Sequence, residues 1–137
     1  MITKIDSNFA IINAMSNPII IPIFTSRGDV SAFLVYPYLF NRQGEWIGWV
    51  TQQREVYSVL GYYVGSLTND PRIIRKRSED IRPRLKTPPP PARLRPPSNV
   101  PLPKLMADLS YETIDVLHDA PELLHTLDAG DMRQDMN

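Results

Sequence analysis

The sequence contains no cysteine in 137 residues, which excludes a disulfide framework, a thiolate nucleophile and a cysteine-bound metal. That fits a reducing compartment, and the cytoplasm is the expected location. Histidine is scarce as well: His118 and His125 are the only two, both in the C-terminal fifth of the chain. No hydrolase triad or phosphate-binding loop can be built from the remaining residues. The expectation is a protein that is not an enzyme and takes no cofactor. Long apolar runs are missing too. The longest, Ile19 to Phe24, is interrupted by Pro22 and is far too short to span a bilayer. The opening "MITKIDSNFAIINAM" lacks the positive n-region and small-residue cleavage site of a signal peptide. A non-exported protein with no membrane role is expected. Residues 1–16 read as a flexible extension, with Met15 as an alternative start.

Net charge is also absent, but only as a sum. Residues 1–70 carry four basic and five acidic groups, residues 71–105 ten basic and two acidic, and residues 106–137 one basic and eight acidic. The three zones thus stand at −1, +8 and −7.

In the first zone, alignment on glycine exposes a repeat. "PIFTSRGDVSAFLV", "YLFNRQGEWIGWV" and "EVYSVLGYYVGSL" share an aromatic (Phe24, Phe40, Tyr57), a glycine (Gly28, Gly44, Gly61) and a small residue (Ala32, Gly48, Gly65). Spacings of 16 and 17 place "PRIIRKRSED" as a fourth copy, with Ile74 for the aromatic and Ser78 for the glycine. Each unit reads as a β-hairpin. Its turn opens on Thr25, Asn41 or Ser58, whose side chain can bond back to the backbone, and closes on a glycine suited to a left-handed bulge position. The flanks are rich in Val, Ile and aromatic residues, which favour strands. The small residue is expected where the strand meets a crowded axis. The fourth copy has Arg82 at the small position and Pro83 after it. Its second strand is therefore expected to come from elsewhere, with Ile19 to Ile21 as the candidate.

The second zone holds nine of the fourteen prolines, between Pro83 and Pro103. It is expected to be an extended spacer, unable to pair into a sheet. In the third zone Ser110 is positioned to cap a helix carrying Tyr111, Ile114 and Leu117, and Asp119 with Glu122 precedes Leu123, Leu124 and Leu127 in capping-box spacing. Two short amphipathic helices are predicted. The boundaries are an extension at 1–16, a four-hairpin β domain at 17–82, a proline-rich basic linker at 83–105 and an acidic, partly helical tail at 106–137.

The tandem pattern, clearest in "LFNRQGEWIGWV" and followed by a proline-rich tail, resembles the 4-fold beta flower proteins over about Pro22 to Asp80. The resemblance implies an all-β, pseudo-fourfold array of hairpins, like a propeller or flower. It transfers no catalytic residue.

The candidate site residues each have a plain structural counterpart. Tyr36, Tyr38, Trp46, Trp49, Tyr62 and Tyr63 can stack on a flat ligand, or form the hydrophobic layer of a small domain. If any ring is exposed for binding, Trp46 and Tyr62 are the candidates. The stripe beginning with Arg72, Arg75, Lys76 and Arg77 fits a phosphate backbone, or a match to the acidic tail. Pro88, Pro91 and Arg93 form a PxxPxR arrangement that four consecutive prolines make almost inevitable. His118, Glu122 and His125 stand at i, i+4 and i+7, but Pro121 breaks the helical register, so no metal is expected. The first functional reading is a non-catalytic interaction or assembly module. In it Tyr111, Ile114, Leu117 and Leu124 dock on another subunit or protein, which includes homo-oligomers. The second is a nucleic-acid binder whose basic segment at 72–95 is masked by the acidic tail.

Overall fold

The computed structural model describes residues 19–78 and 81–128. The repeat zone folds into seven strands in chain order: β1 (Ile21–Phe24), β2 (Val30–Val35), β3 (Tyr38–Asn41), β4 (Trp46–Val50), β5 (Glu55–Ser58), β6 (Tyr63–Leu67) and β7 (Ile73–Lys76). An eighth, β8 (Thr113–Asp115), arrives from the tail, and all eight form one curled antiparallel sheet in sequence order. The curl brings the first strand back toward the last pair, where the Phe24 N–H donates to the Pro71 carbonyl at 3.1 Å.

The three glycine repeats are three hairpins with the same turn. In each, the glycine N–H donates to the carbonyl three residues earlier: Gly28 to Thr25, Gly44 to Asn41 and Gly61 to Ser58, at 2.9 to 3.0 Å. The glycines hold φ near +91°, +85° and +88°, a region costly for any residue with a Cβ. Thr25 Oγ1, Asn41 Oδ1 and Ser58 Oγ each accept from the backbone N–H two residues on. The repeat aromatics mark the bulges: the register shifts at Phe24, Phe40 and Tyr57, each opposite the residue six positions later.

The small residues earn their place through strand approach. Ala32, Gly48 and Gly65 lie across from Ile23, Leu39 and Val56, all three fully buried. A Cβ on Gly48 would stand 2.5 Å from the Tyr57 carbonyl oxygen, and one on Gly65 would stand 2.4 Å from that of Ile74. The obstacle is the backbone of the following hairpin, which has no means of moving aside. Inside the curl, Ile23, Leu39, Ile47, Val56, Val64 and Ile73 form the main core. Each such side chain contributes about 1.5–3 kcal/mol by burial.

Three expectations need correction. The partner of β7 is neither the stretch after Arg82 nor Ile19 to Ile21: Ile74 pairs with Asp115 and Lys76 with Thr113, while Ile21 pairs with Leu34 in the first hairpin. Pro83 has no N–H to give a ladder. The predicted helix over Tyr111 to Leu117 is also replaced, by β8 and a single helical turn, α1 (Val116–Asp119). The open edge of β7 supplies ladder partners to the β-branched Thr113 and Ile114, and tertiary pairing outweighs helix propensity. The second predicted helix is reduced to a 3-10 turn over Pro121–Leu123. Val116 and Leu124 enter the same core as the hairpins.

Candidate interaction site

Between β7 and β8 the described residues have neither helix nor strand, yet this strap is closely attached to the hairpin tips. The Leu85 N–H donates to the Gly61 carbonyl at 2.9 Å, and nine residues later the Leu94 N–H donates to the Gly44 carbonyl at 2.9 Å. The preceding arginine repeats the pattern: Arg84 Nε donates to the Leu60 carbonyl at 2.5 Å and Arg93 Nη2 to the Gln43 carbonyl at 2.9 Å. Each tip is thus held by an Arg-Leu pair reading two consecutive turn carbonyls.

These seats leave no space at the glycines. A Cβ on Gly44 would lie 1.9 Å from the Leu94 carbonyl oxygen, and one on Gly61 would lie 2.0 Å from that of Leu85. Glycine is required there twice, for φ and for the strap. Nine residues beyond Leu94 the strap reaches the first tip with Leu102 and Pro103 in place of Arg-Leu. Pro103 has no N–H to donate, and its Cγ lies 3.6 Å from the position of a Gly28 Cβ, an ordinary contact.

The first tip is secured by side chains instead. The Ser26 N–H donates to Asp115 Oδ2 at 2.5 Å, and Arg72 Nη1 donates to Ser26 Oγ at 2.9 Å. Arg72 is 3% exposed, paired with Asp70 at 2.7 Å, and also donates to the Ala107 carbonyl. It therefore belongs to the interior and not to a surface stripe. Burial works against the charged form of Asp70, but hydrogen bonds from Arg72 and Thr68 together outweigh it and hold its pKa below the usual carboxylate range. Asp119 is likewise lowered, first by the His118 hydrogen bond and then by the Asp115 N–H.

Among the described residues the main core contains no aromatic side chain. Trp46 is buried with Phe40 and Val59 in a second cluster that includes Trp49, Tyr38 and the strap's Leu94. Trp46 Nε1 donates to the Gly48 carbonyl at 2.6 Å. This candidate ring lies within the packing, where the strap's Leu94 closes over its cluster. Tyr62 is half exposed, beneath the Arg84 guanidinium. Tyr57, stacked on Trp49, has its phenol pKa raised, chiefly by burial and then by the Glu55 charge.

Of the other basic residues, Arg75 donates to the Tyr63 carbonyl, Arg77 to that of Tyr111, and Arg82 pairs with Glu55 while lying over the Tyr63 ring. Lys76 remains exposed. In the tail, Ile114 lies in β8, Leu117 packs against the main core, Leu124 is buried in it, and Tyr111 is exposed beside Arg77. Of the four residues expected to dock, Ile114, Leu117 and Leu124 thus contact their own sheet, and Tyr111 stays exposed. His118, Glu122 and His125 fall on α1, the 3-10 turn and the residues beyond, and no group of three metal-binding side chains is present among the described residues.

The strap's nine-residue recurrence, Arg84-Leu85 and Arg93-Leu94, was legible in principle as "PRLK" and "ARLR", but the prolines obscured it. No helix among the described residues is long and apolar enough to cross a membrane. No protein-family model matches the chain, and no curated protein or solved structure is similar to it.

Proposed function

We propose that the protein is a non-catalytic assembly module whose C-terminal segment docks on the β domain of a second copy. The supporting observation is the form of the attachment. Two Arg-Leu seats lie on a connection without regular structure, and one added strand and two core residues, Val116 and Leu124, follow it. Strand addition and backbone seats rely on main-chain groups that every copy presents equally. A segment held this way at the end of an irregular connection is suited to exchange between protomers. In the same reading the pairs β1–β2, β3–β4, β5–β6 and β7–β8 are the petals of a pseudo-fourfold array of the 4-fold beta flower type, working in the cytoplasm.

The lack of cysteine makes the test clean. Chains carrying only Gln43→Cys are mixed with chains carrying only Arg93→Cys, since the native Arg93 side chain reaches the Gln43 carbonyl at the second tip, and treated with a short bis-maleimide. A covalent heterodimer, with a dimer mass by light scattering for the untreated protein, is the expected result. Monomer mass with no cross-linked species would sink the proposal.

A further inference from the structure

The third strap position, where Arg-Leu gives way to Leu102-Pro103, adjoins a cleft of about 710 Å³. That volume is within the range of small-molecule sites, about 300–1,000 Å³. Phe24, Leu34, Val50 and Leu67 line it from the sheet. Around it Ile21, Tyr36 and Leu102 are 39%, 57% and 92% exposed, a concentration of apolar surface that a folded chain does not leave to water without use. The residues lining the cleft include two cations, Arg54 and Lys104, and no carboxylate. Arg54 is already committed: its Nε and Nη2 donate to the carbonyls of Leu67 and Thr68 at 3.0 and 2.8 Å. Lys104 is exposed and forms no ion pair among the described residues.

Two departures from the repeat meet at this cleft. The strap loses its Arg-Leu seat here, and the turn between β4 and β5 carries Arg54 at φ +65° where the hairpin tips carry glycine. A side chain held in the left-handed region costs energy, and such costs gather at functional sites.

We propose that this cleft binds a medium-chain fatty carboxylate, with the chain against Leu34, Val50 and Leu102 and the head group at Lys104. The proposal is independent of strap exchange. Calorimetric titration of the full chain with decanoate, decanol and decylamine tests it. Decanoate should bind most tightly and decylamine least. Lys104→Gln should weaken decanoate about fivefold and leave decanol unchanged. Leu102→Asp, at a site too exposed to endanger folding, should weaken decanoate and decanol together. Equal affinity for the three compounds, or a Lys104→Gln chain that binds decanoate as before, would overturn the head-group assignment. An absence of heat with all three would overturn the site. A ligand-dependent doubling of mass in light scattering would give the cleft to a second copy and also overturn it. The exchange test above uses no ligand, so either proposal can fail alone.

Discussion

The first hairpin tip and the next two are built from the same local instructions and held by different means. All three have a polar residue opening the turn, a left-handed glycine and the same bond between them. The second and third are clamped by strap backbone and arginine, so Gly44 and Gly61 are buried while Gly28 is partly open. The first is tied by Arg72, just before β7, and by Asp115 of β8. Turn conformation is therefore a local property, whereas what a turn binds depends on the residues that pass over it.

Alanine at the tip glycines breaks this comparison most directly. Gly44→Ala and Gly61→Ala should each cost roughly 3 kcal/mol or more, because a left-handed alanine costs about 1–2 kcal/mol and its Cβ also expels the strap. Gly28→Ala should cost only the conformational part, about 1–2 kcal/mol. Denaturant unfolding measures all three, and equal losses would show that the strap contacts carry no weight.

Next in size is the tie to the first tip. Asp70→Asn removes the ion partner of an interior arginine and should destabilise by roughly 2–3 kcal/mol. The pH dependence has a definite sign. A carboxylate whose folded pKa is depressed stabilises the fold above its unfolded pKa, about 3.9, and this stability is lost as pH falls through the lower folded value. Asp119 acts in the same direction near β8. Acid should therefore loosen the first tip before the other two, whose seats use arginines and backbone groups that do not titrate there. Backbone NMR between pH 5 and pH 2 should show the Ser26 amide changing ahead of Gly44 and Gly61; simultaneous change would refute the distinction.

The smallest expected effect is at a single seat. Arg93→Ala should cost about 1 kcal/mol and raise amide exchange at Leu94 more than at Leu85. Equal exchange at the two leucines would mean that the strap lifts as one unit.

Much of the sheet was readable because its signals are local. Thr25, Asn41 and Ser58 bond within their own turns, and Phe24, Phe40 and Tyr57 recur because each hairpin solves the same bulge. The tail was less readable because its structure depends on surfaces made elsewhere. Tyr111, Ile114 and Leu117 are spaced as one face of a helix, yet Thr113 to Asp115 meet the edge of β7 and become a strand. Trp46 has the same place in its unit as an exposed ring would, but Leu94 arrives from far along the chain and covers its cluster. The partners of the basic residues were equally hidden: Arg72, Arg84 and Arg93 bond to Asp70 and to carbonyls that only folding assembles.

By itself the sequence determined the hairpins, their turns and the positions where only a small residue fits, since those depend on φ, side-chain size and hydrogen bonds within a few residues. Only the tertiary structure decided that β8 completes the sheet, that the proline-rich segment is a strap seated on Gly61 and Gly44, and that Leu102 and Lys104 border a cleft. Each of those depends on contacts between residues tens of positions apart, whose partners exist as surfaces only after the sheet has curled.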